Sequence, residues 1–177
     1  MSEQLILLPE LRLDAVLAAS IDALKLYAPK DGSPYWGAFS GGKDSVALKE
    51  VARLSGVPVE WHYNNTTIDP PELVRFIREH HLDVKWEQPK RGFFAAMRVR
   101  GIPTRRTRWC CSELKESGCE VGSRMLLGVR AAESHRRAMT WKIATMHKRT
   151  KDFVISPLLY WTDAHVWEFI RSRSMQY

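Results

Sequence analysis

Residues 35–54 read Tyr-Trp-Gly-Ala-Phe-Ser-Gly-Gly-Lys-Asp-Ser-Val-Ala-Leu-Lys-Glu-Val-Ala-Arg-Leu. The apolar run over 35–39 has the character of a buried strand, and the spacing over 46–54 is helical. Residues 40–45 therefore sit where a strand turns into a helix N-terminus. Gly41 and Gly42 allow a tight bend and a close backbone approach to a ligand. Free first-turn amides and the positive end of the helix dipole suit phosphate. Ser40 and Ser45 add hydroxyl donors, and Lys43 adds a cation. Asp44 is out of character, because a carboxylate beside phosphate is repulsive unless it holds Mg²⁺ or an N–H. The plain alternative is a glycine-rich turn capped by serines.

Working outward, residues 57–63 read as a second strand ending in the polar loop Asn64-Asn65-Thr66-Thr67. Asp69-Pro70-Pro71-Glu72 then signals a helix start, with Asp69 as cap, Pro70 at the first position and Glu72 closing a capping box. That helix runs to about His81. A short strand over 84–86 and a helix over 92–99 follow. Residues 101–109 form a basic loop, and 111–116 a short helix. Strands are expected over 125–129 and 154–159, and Thr162 caps a last helix over 163–172. Toward the N-terminus, Leu11, Val16, Leu17, Ile21 and Leu24 mark an amphipathic helix over 10–27. The alternation predicts a single α/β domain over 1–177, with a parallel, doubly wound sheet of about five strands and helices on both faces. Ligands of such sheets sit beyond the carboxyl ends of the strands, and loop 40–45, loop 64–67 and Arg130 all fall there.

The chain has 177 residues, 45% hydrophobic and 27% charged, enough for one domain with a real core. No apolar run reaches the length of a membrane span, and the N-terminus lacks the features of a secretory leader. A cytoplasmic location with no membrane partner is expected. The net charge is +7. Its excess clusters at Arg98, Arg100, Arg105, Arg106 and Arg108, and again at Arg130, Arg136, Arg137, Lys142, Lys148, Arg149 and Lys151. Such clusters attract polyanions. Three cysteines, Cys110, Cys111 and Cys119, argue against a disulfide framework. His80-His81 is expected to be a surface helix end rather than a metal pair. Trp61 and Trp109 are read as core residues, with stacking on adenine as the alternative.

Loop 40–45 is too short for a Walker A loop and lacks the spacing of the dinucleotide fingerprint. It resembles the PP-loop, Ser-Gly-Gly-x-Asp-Ser, of the adenine nucleotide α-hydrolases. Three further segments are similar to the phosphoadenosine phosphosulfate (PAPS) reductase family within that superfamily: Asn64-Asn-Thr-Thr-Ile-Asp-Pro-Pro-Glu72, Thr107-Arg-Trp-Cys-Cys-Ser-Glu-Leu-Lys115, and Gly128-Val-Arg-Ala-Ala-Glu-Ser-His-Arg136. The resemblance implies a Rossmann-like (HUP-type) fold. It also implies an adenine nucleotide, ATP or PAPS, gripped by Ser40, Gly41, Gly42, Ser45, Arg130 and Arg136, with Lys43, Asp44 and Arg130 in catalytic roles. Mg²⁺ is implied, with Asp44 as a candidate contact. The implied chemistry is sulfur transfer or reduction, acting at the α-phosphate or the sulfonyl end. A nucleic-acid or protein acceptor is the expected partner, and a homodimer is left open. Cys110 and Cys111 match the first pair of iron–sulfur ligands in part of the family. A cubane cluster needs four ligands, so one is expected only with ligands outside this chain. The family's Glu-Cys-Gly-x-His tail, whose thiol attacks sulfur, has no counterpart here. That favours ATP-dependent activation of a larger acceptor; a nucleotide-binding subunit with incomplete catalysis is the alternative.

Overall fold

The computed structural model describes residues 12–115, 123–146 and 152–177. Leu11, Cys119, Lys148, Arg149 and Lys151, and the expected helix end at 116, lie outside the described residues. In chain order the elements are α1 (Leu13–Leu26), β1 (Tyr35–Ala38), α2 (Lys43–Ser55), β2 (Val59–Asn64), α3 (Pro71–His80), β3 (Val84–Glu87), α4 (Phe93–Arg100) and α5 (Trp109–Leu114). They continue with β4 (Arg124–Leu126), a 3₁₀ turn (Ala131–Glu133), α6 (His135–Thr140), β5 (Ala144–Met146), β6 (Phe153–Ile155) and α7 (Asp163–Ser172).

The strands form one sheet in the order β3-β2-β1-β4-β6-β5. The five expected strands are present and mutually parallel. A sixth, β5, pairs antiparallel with β6 at the edge and is not among those expected. The chain leaves β1 toward β2 and β3, then returns across β1 to β4, so a switch point lies between β1 and β4. With right-handed connections, α2 and α3 lie on one face, while α4 and α5 pack on each other around a small core of their own. α1 and α7 pack on α2.

Local chemistry explains the main boundaries. β1 is buried over its first three residues, as a central parallel strand must be. Gly37 has no room for a side chain, since a Cβ there would lie 2.5 Å from the Trp61 ring. α2 ends at Gly56, whose φ of +73° is the left-handed cap glycine accepts most easily. α3 departs from expectation: it starts at Pro71 and has no side-chain cap. Asp69 instead accepts from the Tyr63 hydroxyl and from the Thr66 amide, so it braces the loop rather than the helix. α7 starts as expected, the Thr162 hydroxyl accepting from the His165 amide.

Trp61 packs edge-on to Phe39 in the main core. Trp109 fills a second, smaller core with Ala96 and Leu114 and donates its indole N–H to the Gly101 carbonyl at 3.1 Å. Both are core residues. His80 is exposed, but His81 is wedged between the rings of Phe39 and Phe76, which corrects the expectation of a surface pair. No described helix is long and apolar enough to cross a membrane.

Candidate functional site

The carboxyl end of β1 leads straight into loop 40–45 and the first turn of α2. Gly41 adopts φ +74° and lies so close to α3 that a Cβ would sit 2.6 Å from Leu73 Cδ1. The bend is therefore both conformationally and sterically reserved for glycine. Gly42, the N-cap, has ordinary extended backbone and open space, its nearest neighbour on a virtual Cβ being Ser40 Oγ at 3.5 Å. Ser45 Oγ donates to the Gly42 carbonyl at 2.8 Å and lies 3.2 Å from Ser40 Oγ. No side chain caps α2, and its first-turn amides have no carbonyl inside the helix to bond. A nest of donors results, on the positive end of a 13-residue helix.

Beside the loop is a cluster of four charges from three distant segments. Asp44 lies in α2, Arg130 follows β4, and Asp163 opens α7. Arg130 Nε donates to Asp44 Oδ1 at 2.8 Å, and Nη2 to Asp163 Oδ1 at 2.8 Å. Nη1 points at the Trp161 carbonyl, 3.4 Å away. Lys43 Nζ bridges the same two carboxylates, 3.2 Å from Asp44 and 3.4 Å from Asp163. Arg130 is only 2% exposed, whereas the Asp163 side chain is 68% exposed. The charge of Arg130, then its hydrogen bond, holds the Asp163 carboxyl below the usual carboxylate range.

Arg130, expected as a phosphate ligand, here turns its guanidinium donors to protein acceptors. Its backbone is held as firmly: the Arg130 amide donates to Glu133 Oε1 at 3.0 Å and the Ala131 amide to the Leu159 carbonyl at 2.7 Å. Gly128 lets this segment reach α2, since a Cβ there would lie 3.2 Å from the Asp44 carbonyl. Arg136 is exposed on α6, away from these contacts, while its neighbour Arg137 pairs with Glu133. The sequence marks Asp163 only as a helix start. The signal for it is weak, because an acidic residue after a Thr cap is common in first turns.

Two implied metal groups can be tested against these residues. Among the described residues, no three of His, Cys, Asp and Glu converge on a point that would hold a metal ion. Both Asp44 oxygens already face cations, so the residues present do not form a protein-only Mg²⁺ site. Cys110 and Cys111 are thiols in α5, outside any disulfide and both half-buried, and Cys110 packs against the small Trp109 core. A cubane cluster needs four ligands, and the described residues add none to these two, so such a site would need ligands from outside the described residues. A separate cavity of about 810 Å³ opens beside Trp36, Glu60, His62 and Arg124, and none of its lining residues belongs to loop 40–45.

A mostly parallel sheet with a glycine loop at the β1–α2 turn defines an α/β protein of the HUP class. Within it, the chain belongs to the phosphoadenosine phosphosulfate reductase domain family, whose profile matches residues 34–177. Uncharacterized protein MJ0066 of Methanocaldococcus jannaschii is 27% identical over 173 residues, covering 89% of this chain and 35% of that protein. The chain thus spans about a third of that relative's length. Among solved structures, the PAPS reductase of Candida auris, in a phosphate complex, superposes with a TM-score of 0.63 at 14% identity, over 93% of this chain and 87% of that one. The FMN adenylyltransferase of Candida glabrata, solved with FAD and inorganic pyrophosphate, gives 0.60 at 15% identity, over 89% and 56%. These two likenesses concern the fold.

Proposed function

We propose that the chain binds an adenine nucleotide, ATP or PAPS, with its phosphates or sulfate in loop 40–45, and acts at the α-phosphate or sulfonyl end. The observation that carries this reading is the donor nest of Gly41, Gly42 and the first turn of α2, beside a lysine held by two carboxylates. Mg²⁺ enters this reading as part of the substrate, on the nucleotide phosphates.

With ATP, an acceptor oxygen attacks the α-phosphorus. The bond from that phosphorus to its bridging oxygen breaks, and pyrophosphate leaves with the electron pair. Negative charge grows on the leaving phosphates, so fixed amides and the Ser40 and Ser45 hydroxyls favour the transition state. Lys43 turns from Asp163 toward the incoming phosphates. Asp163, largely exposed, gives up that contact at little cost. Arg130 and Asp44 are positioning residues that hold the base of Lys43 and the first turn of α2. Arg136, exposed on α6, serves the outer part of the ligand.

The test is calorimetric titration with ATP and with PAPS, followed by product analysis with nucleic-acid and protein acceptors. Binding of one nucleotide, with pyrophosphate and an adenylated acceptor formed from ATP, or sulfite formed from PAPS when a dithiol reductant is supplied, supports the enzyme. Binding with no turnover leaves a nucleotide-binding subunit, and no binding of either nucleotide removes the reading.

A further inference from the structure

We propose that the α4–α5 arm is a docking surface for single-stranded nucleic acid. Residues 91–114 contain six arginines, no lysine and one acidic residue, Glu113. Glu113 pairs with Arg100 at 2.6 Å. The other arginines are exposed, and none has an ion-pair partner among the described residues. The same arm exposes apolar side chains: Phe94 is 63% exposed, Val99 67% and Ile102 76%.

The arm is built to hold these groups in place. Its own small core, centred on Trp109, ties α4 to α5. The Thr104 hydroxyl accepts from the Arg106 and Thr107 amides, and the Thr104 amide donates to the Thr107 carbonyl. The arginine loop is thus a closed turn, so less ordering accompanies binding. The arm is also anchored at the rim that carries loop 40–45. The Phe93 amide donates to Thr67 Oγ1 at 2.8 Å, and Asn64 Nδ2 to the Lys115 carbonyl at 3.1 Å. Thr67 and Asn64 both belong to the segment at the carboxyl end of β2.

Charge selects a polyanion, and arginine rather than lysine selects phosphate, which its planar fork matches in two hydrogen bonds. Exposed Phe94 among the arginines gives a base a face to stack on, with Val99 and Ile102 as apolar contacts beside it, as in sequence-tolerant single-strand binding. A duplex buries its bases and needs an element that enters a groove, whereas α4 has only eight residues and its start is tied to Thr67. This docking stands without the nucleotide reading, although the two together would bring an acceptor to the phosphate loop.

Fluorescence anisotropy with a labelled oligothymidylate of about 15 nucleotides tests it, in salt from about 50 to 200 mM. Binding should weaken steeply with salt. The triple variant Arg98→Gln/Arg105→Gln/Arg106→Gln should bind at least tenfold more weakly, with a log–log salt slope shallower by about 2, from about 0.7 per lost phosphate contact. Phe94→Ala should weaken binding at least fivefold and leave the slope unchanged. Gly42→Val should bind the strand normally, which separates this site from loop 40–45. If the triple variant fails to fold, Arg105→Gln alone should lower the slope by about 0.7. Absence of binding at the lowest salt, wild-type affinity in the arginine variants, or equal affinity for a duplex with no effect of Phe94→Ala would each overturn the proposal.

Discussion

A carboxylate in the first turn of a phosphate-facing helix would repel its ligand if it stood alone. Asp44 does not stand alone: Arg130 and Lys43 occupy its two oxygens. With Asp163 the group contains two cations and two anions and is balanced before any ligand arrives. Arg130 is the buried member, and removing it strands Asp44 without its strongest partner. Arg130→Ala should cost about 3 kcal/mol or more in urea denaturation. Arg130→Lys keeps the charge but loses the fork, so it should fold, with lower stability and weaker nucleotide binding. Wild-type values of both in Arg130→Lys would remove the positioning role. The two glycines separate shape from ligand contact. Gly41→Ala meets Leu73 in a strained backbone, and should lose about 1–3 kcal/mol of stability. Gly42→Val has open space, so the fold should survive while ATP or PAPS binds at least tenfold more weakly. Equal affinity by calorimetry would take the loop out of the site.

At the scale of the element, α3 carries a pH dependence. His81 ends it, wedged between Phe39 and Phe76 with Lys49 Nζ 3.2 Å from its Nδ1. Burial, then the Lys49 charge, pushes its pKa down to about 4. The unfolded chain takes up this proton from about pH 6.5 downward, and the folded chain only near pH 4. The unfolded state therefore binds more protons between those values, and stability falls as the pH is lowered through that window. Denaturation midpoints measured across it should decline, and His81→Gln should flatten the decline. An unchanged profile in the variant would assign the effect elsewhere.

Elements are legible where their periodic pattern is long or their punctuation strong. α2, with helical spacing between Gly42 and Gly56, and α7, behind Thr162, are examples. α6 and β5 span six and three residues, too few for any period to show. The strands expected over 125–129 and 154–159 are shorter in the fold, yet the Leu127 amide still bonds the Ile155 carbonyl, so the apolar runs mark neighbouring segments. Loop 40–45 is legible because glycine, serine and lysine each do local work there. The Arg130–Asp163 contact is not, because it depends on which segments meet at the end of the sheet.

For the whole molecule, iron content bears on the reacting group. The 177-residue chain, purified anaerobically, is expected to hold fewer than four irons, since it supplies three cysteines, two of them adjacent. Four irons per chain with the matching visible absorbance would instead point to a site completed between chains.

The charge cluster also has a consequence for the order of events as the chain folds. Its members stand at positions 43, 44, 130 and 163, so Lys43 reaches its bridging position only after α7 has docked on α2. Closing contacts so far apart is slow, because the chain entropy is lost before the contacts reward it. Helix content should thus return early in a refolding experiment. The capacity to capture nucleotide should return last, in step with burial of Trp161.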